Sequence, residues 1–501
     1  MIPKYIIVQA GGKGTRMKHL TRNKPKALIP VDNLPMLFHL FRKYPDSKYV
    51  IIGDYKCDVL ERYIAAFADV DYIVVRATGF SGTCAGLQQS LDKLPEGEPF
   101  LLIWSDLILP KDFELPDEIG DYIGVAKDFP CRWKYENGTF AEERSNTFGV
   151  AGLFFLHDKT ALADVPREGE LVRWLSEVGL TFQSLPLYRV QEYGLLSEYE
   201  KLETSRCRPF NRTYIEDSCF VKEPIDAQGR GLAKREAAWY RRVQGRHFPN
   251  IPDIVSYEPL KMELIGGKAI YEYEDLTYNE KAELLGQIIG CLKSVQALES
   301  VPSDRGSFDE AYIGKTFQRL EKVKDLVPFA GDEYVTVNGR RCRNVFYCQE
   351  ALEKQIAEYF PPEFKLIHGD CTFSNMMLRA DGTPVLIDPR GYFGTTELYG
   401  DPAYDWSKLY YSVVGNYDQF NRKRFSLEIG KDSVELRIAS NGWESLEPEF
   451  FRLLEDEVTP EQVRLIHAII WLSLTTYAWE DYDSICGAFY NGLYYLEEAF
   501  T

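Results

Sequence analysis

No stretch of this 501-residue chain is apolar for long enough to cross a bilayer; none approaches the roughly 18 residues a spanning helix needs. There is no secretory signal pattern. Cysteine is scarce, with 10 residues scattered singly, and no C-x-x-C pair or Cys/His cluster has zinc-site spacing. A disulfide scaffold and a structural zinc module are therefore excluded, and reduced thiols are expected. Positive charge is also short: the net charge of −18 is the wrong sign for a non-specific nucleic-acid binder, which needs a broad basic face. Neither a Walker A loop nor a Rossmann G-x-G-x-x-G is present. Internal repeats and low-complexity linkers are missing too. The expectation is a cytoplasmic protein that acts on small molecules, with no nucleic-acid partner and no membrane partner; a homodimer stays open.

What is present is ample material for more than one core, with 45% hydrophobic and 27% charged residues. At roughly 100–200 residues per domain, two to four domains are expected. In the first half, short β-rich runs (Tyr5–Val8, Tyr49–Ile52, Tyr72–Val75, Phe100–Trp104, Tyr122–Val125, Gly152–Leu156) alternate with helical patterns near 34–44, 56–68 and 83–94. That alternation predicts βαβ units and a parallel sheet. Near 200–210 the character changes to polar residues. Short strand-like runs follow at Cys219–Lys222, Lys261–Ile265 and Ala269–Tyr273, and after about 278 the pattern is mostly helical. One hairpin interrupts it, Asn375–Leu378 and Val385–Ile387 around Asp381-Gly382. Two domains are expected, 1–203 and 204–501.

The first 30 residues contain seven cations and no Asp or Glu. An organelle transit segment has such a bias, but a strand and a glycine-rich loop fill the stretch, so a site for a polyanion such as a triphosphate fits better. Gln9-Ala10-Gly11-Gly12-Lys13-Gly14-Thr15-Arg16-Met17 follows the first strand. Glycines there let the backbone turn tightly and present amides to an anion, and a helix N-terminus after the loop would add its dipole. Lys24-Pro25-Lys26-Ala27-Leu28 brings another cation, and Lys13, Arg16 and Lys26 can stabilise charge on transferred and leaving phosphates. Asp106 lies just past the Phe100–Trp104 strand, at the strand end where ligands bind in open α/β sheets, and could hold Mg between phosphates.

Gly11–Met17 and Pro25–Leu28 resemble the G-G-x-G-T-R-[LM] and P-K-[AP]-[LM] elements of the sugar-phosphate and phosphocholine nucleotidyltransferase family. The resemblance implies a Rossmann-like domain in which Gly11, Gly12, Lys13, Gly14 and Thr15 bind the nucleotide. Arg16 helps hold its triphosphate, and Lys26 contacts the substrate phosphate or the attacked α-phosphate. Gly82-Thr83-Cys84-Ala85-Gly86 looks like the family's base-binding turn, with Gly82 and Thr83 as nucleotide contacts. Asp106 would be a Mg2+ ligand, with Ser105 in place of the usual Gly. Glu192, in Val190–Gly194, stands where the family has a second acidic ligand, usually Asp; it could equally be a solvated loop carboxylate. Gly149–Phe155 resembles the substrate-side strand.

The sharpest signal is Leu366-Ile367-His368-Gly369-Asp370-Cys371-Thr372-Phe373-Ser374-Asn375, followed across the hairpin by Ile387-Asp388-Pro389-Arg390-Gly391. One carboxylate can deprotonate an attacking hydroxyl, while an amide oxygen and a second carboxylate bind Mg at nucleotide phosphates. This resembles the choline kinase and aminoglycoside phosphotransferase family, an α+β two-lobed protein-kinase-like fold. The likeness implies Asp370 as catalytic base and Asn375 and Asp388 as Mg2+ ligands. Gly400–Trp406 matches the family's next segment, with Asp405 and His368 read as structural. Lys222, on a strand, would reach the ATP phosphates and pair with Glu236, and Met262–Gly267, with Glu263, resembles the hinge that carries adenine. Residues 205–220 contain no glycine, so any phosphate cover must be short, using Ser205 or Asn211. Aromatic residues cluster at Trp471, Tyr477, Trp479, Tyr482, Tyr490, Tyr494 and Tyr495. They could cage a quaternary amine, but at helical spacing they read first as core. Asp481 and Asp483 could bind an amine or hydroxyls, or face water.

A kinase makes a phosphate monoester and a nucleotidyltransferase consumes one. The expected function is therefore phosphorylation of a small alcohol by ATP, then transfer of a nucleotidyl group, CMP from CTP favoured, with release of pyrophosphate. The alcohol would be a choline-like amino alcohol or a polyol, and the pairing is of the kind used to decorate surface glycans or capsule. An anomeric sugar kinase feeding a sugar-1-phosphate nucleotidyltransferase is the alternative. A third reading makes one domain a dead sensor or scaffold.

Overall fold

The structure is a computed structural model and describes residues 1–77, 79–194, 196–200, 202, 211–455 and 457–500. The chain divides into two compact units, Met1–Thr204 with Glu480–Asp483, and Ser205–Trp479 with Ser484–Thr501.

The first unit is α/β with a mostly parallel centre. Strands Asp71–Arg76, Lys48–Gly53, Tyr5–Gln9 and Phe100–Trp104 lie side by side in that order, all parallel. Gly149–Leu156 joins antiparallel to Phe100–Trp104, and Tyr122–Ala126 pairs with it in turn. Ile6, Ile7, Val8, Leu101, Leu102 and Ile103 are fully buried, as strands covered on both faces must be. Helices Met36–Lys43 and Cys57–Phe67 fall where the apolar periodicity put them, whereas the third helical pattern shortens to Leu87–Leu91. After Tyr5–Gln9 the chain crosses to the Lys48–Gly53 side, and later returns to the opposite flank as Phe100–Trp104. Loops leaving those two neighbouring strands diverge, which opens a crevice at their C-terminal ends.

Within this unit Lys24, which is 2% exposed, pairs with Asp481 at 2.7 Å and Asp483 at 2.6 Å. Burial works against the Lys24 ammonium, but the two carboxylates outweigh it and raise its pKa. The amine that Asp481 and Asp483 hold is therefore the chain's own.

The second unit opens on a four-stranded antiparallel sheet ordered Asn211–Glu216, Cys219–Pro224, Leu260–Glu263, Ile254–Tyr257. Helix Ala227–Gln244 follows the second strand, capped by Asp226. Helix Tyr278–Gln296 starts at a full capping box, Thr277 with Glu280. Around it, Trp239, Leu285, Phe373, Trp406 and Trp443 fill one core.

Two sequence expectations fail here. Ala269–Tyr273 is not a strand; Ile270–Glu272 is a single 3-10 turn. The region after 278 is less helical than its pattern suggests. Tyr334–Val337 pairs with Arg340–Arg343, and Phe425–Ile429 with Ser433–Ile438, together forming a four-stranded sheet. The first of these hairpins turns at Asn338-Gly339, with φ of 50° and 78°. An Asn-Gly pair between alternating apolar residues is the strongest short hairpin signal, so that element was legible.

Two candidate active sites

In the first unit, the turn after Tyr5–Gln9 needs its glycines for close approach. A Cβ on Gly11 would lie 2.9 Å from the Asp54 side chain. Gly14 has φ 61° and packs directly on Lys26, whose Cβ would be 3.0 Å from a Gly14 Cβ. The expected helix after the loop is only the 3-10 stretch Thr15–Thr21, interrupted at Lys18 with φ 51°. An anion placed here would meet backbone amides and side-chain cations rather than the end of a helix macrodipole. Gly12, Lys13, Thr15 and Arg16 are exposed, and Lys13 stands 5.6 Å over the Tyr55 ring.

Lys26, buried beside the loop, forms an ion pair with Asp106. The other Asp106 carboxylate oxygen, Oδ1, is buried and has no hydrogen-bond partner. Gln191–Glu192 pairs antiparallel with Leu107–Ile108, setting Glu192 opposite Leu107 and next to Asp106. Burial and the Asp106 charge raise the Glu192 pKa, while Lys26 and Arg16 pull it back. Four of the sequence candidates, Arg16, Lys26, Asp106 and Glu192, thus share one electrostatic environment. Gly194 leaves room for the Glu192 carboxylate in this position: a Cβ there would sit 2.1 Å from it and displace the side chain.

Gly82 has φ 88°, and a Cβ on it would collide with the Gly169 carbonyl at 2.2 Å. Thr83 Oγ1 accepts the Leu171 N–H at 2.8 Å. Its carbonyl accepts from Gln9 Nε2. Gln9 Oε1 is left buried and without a partner, a polar group between loop and turn that the motif reading passed over. Gly152, with φ 78°, makes room for the Trp104 indole.

In the second unit the hairpin Met376–Leu378 with Pro384–Leu386 brings the two ends of the motif together: Ile387 N–H donates to the Asn375 carbonyl at 3.0 Å. Asn375 Nδ2 donates to the Asp370 carbonyl at 2.8 Å and to its Oδ2 at 3.0 Å. Lys408 Nζ pairs with Asp370 Oδ1 at 2.9 Å, so both carboxylate oxygens are held. Lys408 was not among the sequence candidates; its signal is helical register, three positions after Asp405 in Pro402–Val413. Asp405 accepts the N–H groups of His368 and Gly369 at 2.9 and 2.7 Å. His368 Nε2 contacts the Ile387 carbonyl at 2.9 Å. Burial lowers the His368 pKa and leaves a neutral ring bracing the loop.

Lys222 Nζ lies 2.8 Å from Glu236 and 2.5 Å from Asp388. Burial opposes the Lys222 ammonium, yet the two carboxylates outweigh it and raise its pKa. Asp388 takes φ 54°, a costly backbone for a non-glycine residue that is common at functional turns. The Glu263 side chain is turned to Arg379 as an ion pair and also accepts the Asp253 N–H at 3.1 Å. The hairpin between Asn211–Glu216 and Cys219–Pro224 turns at Asp217-Ser218, both left-handed, with φ of 50° and 59°. Asn211 pairs with Pro224 at the opposite end, so the tip is Asp217-Ser218 and not Asn211; Ser205 lies outside the described residues. Trp471 and Tyr490 are fully buried core.

Residues 6–113 match the model of the MobA-like NTP transferase domain. Residues 217–434 match the phosphotransferase enzyme family. Among curated relatives, the bifunctional protein GlmU of Methanococcus maripaludis is 24% identical over 202 residues, 39% of this chain and 44% of that protein. A probable mannose-1-phosphate guanylyltransferase of Oryza sativa subsp. japonica is 31% identical over 110 residues, 20% of this chain and 30% of its own length. This chain therefore spans less than half the length of either. Among solved structures, the gentamicin–APH(2")-IIa complex aligns with a TM-score of 0.38 and 17% identity, covering 56% of this chain and 87% of that one. The chain carries a MobA-like NTP transferase domain in its first part and a phosphotransferase-family domain in its second.

Proposed function

We propose that the chain makes a phosphate ester in its second unit and activates such an ester in its first. The observation that carries this is Asp370 held between Lys408 and Asn375, in the same chain as Lys26 held against Asp106. The domain boundary near 203 and the site roles belong to this reading.

In the second unit, Asp370 receives the proton of a small alcohol as its oxygen attacks the γ-phosphorus of ATP. The Lys408 and Asn375 contacts fix which carboxylate lone pair faces the alcohol. Lys222, aligned by Glu236, holds the ATP phosphates. The Met262–Gly267 segment receives adenine through its backbone, because the Glu263 carboxylate already serves Arg379. Asn375 and Asp388 offer the hard oxygen donors that suit Mg2+.

In the first unit, the Gly11–Thr15 amides with Lys13 and Arg16 hold the triphosphate, Gly82 and Thr83 border the base, and Lys26 steers the attacking phosphate. Asp106 Oδ1, buried without a partner, fits a cation, and Glu192 is the second carboxylate. Among the described residues no group of three or more His, Cys, Asp or Glu makes a protein-only metal cage; Mg2+ would complete its shell with phosphate oxygens and water. When bound it neutralises charge on the departing pyrophosphate or ADP.

CTP is the favoured nucleotide, on the resemblance to phosphocholine cytidylyltransferases, with surface-glycan or capsule synthesis as the setting. The expected acceptor class, a choline-like amino alcohol or a polyol, spans a cationic and an uncharged ligand, and the cations flanking Asp370, Lys408 and Arg390, weigh against the cationic one and for the polyol. A sugar 1-phosphate in the first unit is the second reading, favoured by the mannose-1-phosphate guanylyltransferase relative.

The test is pyrophosphate release with each of four NTPs against phosphocholine, phosphoethanolamine, glycerol phosphate and sugar 1-phosphates. Activity confined to CTP with a non-anomeric ester is the expected result. Turnover of a sugar 1-phosphate with GTP, UTP or dTTP would transfer the assignment to sugar activation.

A further inference from the structure

Cations crowd the flank of Asp370. Helix Pro402–Val413 carries Tyr404 and Lys408 one turn apart, and Lys408 is the partner of Asp370. The Tyr404 hydroxyl accepts from Arg390 Nη1 at 2.9 Å, and Lys315 Nζ stands 5.8 Å over the same ring. Arg390 is tied to the loop itself. Its N–H donates to the His368 carbonyl at 2.8 Å, and a Cβ on Gly369 would lie 2.9 Å from its own. Arg319, one helical turn after Lys315, donates to the Ser473 carbonyl at 2.6 Å.

Lys315, Arg319 and Arg390 are all half-buried, and among the described residues none has a carboxylate within ion-pair distance. Burial together with the charges of Arg390, Arg319 and Lys408 drives the Lys315 pKa well below its usual value, against the pull of Glu310. Tyr404, Tyr392 and the more distant Asp370 favour the Arg390 charge, but Lys315 and Arg319 are drawn out of water against it, which is unfavourable. A ligand anion would offset this, and would give planar guanidinium donors their preferred partner.

We propose that the alcohol phosphorylated at Asp370 carries an oxyanion of its own, a carboxylate or a phosphate, held by Lys315, Arg319 and Arg390. This rests on the phosphoryl-transfer reading of the second unit. The step is balanced without further reactants: the hydroxyl oxygen bonds the γ-phosphorus, the bond to the ADP oxygen breaks, the proton passes to Asp370, and the second anion is unchanged. A quaternary ammonium alcohol is repelled by the same cluster.

The test uses the full chain. ATP turnover and calorimetric binding are measured with glycerate, gluconate and glycerol 3-phosphate, against glycerol, glucose, ethanolamine and choline. The hydroxy acids and the phosphate ester separate the two anion sources. The expected result is turnover of an anionic alcohol alone, with KM raised roughly 10- to 100-fold by Lys315→Met or Arg319→Gln and a smaller change in kcat. Asp370→Asn should keep anion binding while losing turnover. Lys315→Met removes a charge without a carboxylate in ion-pair contact, so that variant should unfold, without ligand, at or above the wild-type temperature. Turnover of choline, ethanolamine or a neutral alcohol in preference to the anions would overturn the proposal and leave the kinase reading standing. So would anion binding indifferent to both cation variants. Anion binding that both cation variants abolish, in a protein that phosphorylates nothing in the panel, would instead overturn the phosphoryl-transfer reading and with it this acceptor.

Discussion

In the first unit the cations nearest the glycine loop, Lys13 and Arg16, stand exposed, and one oxygen of Asp106 is buried without a partner. In the second unit Lys222 holds Glu236 and Asp388, Asp370 holds Lys408 and Asn375, and Asp405 holds the loop N–H groups. The first site thus leaves partners unfilled, which on the proposed reading phosphates and a cation would supply. In the second, the carboxylates and Lys222 are already partnered within the chain, and only the neighbouring cluster of Lys315, Arg319 and Arg390 is without a carboxylate in ion-pair contact among the described residues. A preorganised network costs little reorganisation at the moment of reaction, but it ties the fold to the site.

The largest expected effect tests whether the two sites are separate at all. Asp370→Ala should cut phosphoryl transfer by about 10²–10⁴-fold and leave nucleotidyl transfer intact. Lys26→Ala should do the converse, by about 10²–10³-fold. Coupled assays of ADP and of pyrophosphate on each variant read both outcomes, and loss of both activities in a folded variant would break the two-site comparison.

The next effect concerns stability. Asp405→Ala strips two buried loop N–H groups of their acceptor and should destabilise the second unit by about 2–5 kcal/mol. Arg16→Ala should change stability by no more than about 0.5 kcal/mol while weakening NTP binding. Denaturant unfolding of the two variants side by side measures this, and equal destabilisation would erase the contrast between a site with partners unfilled and one partnered within the chain.

The same contrast governs what the sequence reveals. Gly11–Met17, Pro25–Leu28 and His368–Asn375 are contiguous because each forms a single tight turn, which needs neighbouring residues of fixed type. The parallel strands are legible because burial on both faces leaves unbroken apolar runs. Lys408, Lys315 and Arg319 are ordinary helical cations in sequence; only folding sets Lys408 against Asp370 and gathers Lys315 and Arg319 beside Arg390. Gln9 is one polar residue at a strand end, and its orphaned amide oxygen is a tertiary fact. The helical expectation after 278 failed where alternating strands such as Tyr334–Val337 are too short to outweigh flanking helical periodicity, even with Asn338-Gly339 marking the turn.

The smallest effect is the most direct probe of the first site's electrostatics. Burial and the neighbouring charge of Asp106 raise the Glu192 pKa, so the protonated form persists to higher pH than for a solvated glutamate, whose pKa is about 4.3. Only the carboxylate can help hold a cation. The kcat/KM for nucleotidyl transfer, which reports groups of the free enzyme, should therefore fall on the acid side at a higher pH than a solvated glutamate would give. Glu192→Gln should lower the plateau and flatten that limb. Asp106→Asn removes the repelling charge and leaves Lys26 facing Glu192, so the Glu192 resonance followed by NMR should titrate at lower pH in that variant. An acid limb indifferent to Glu192→Gln would mean that Glu192 is a bystander, leaving Asp106 as the carboxylate on which the first site turns.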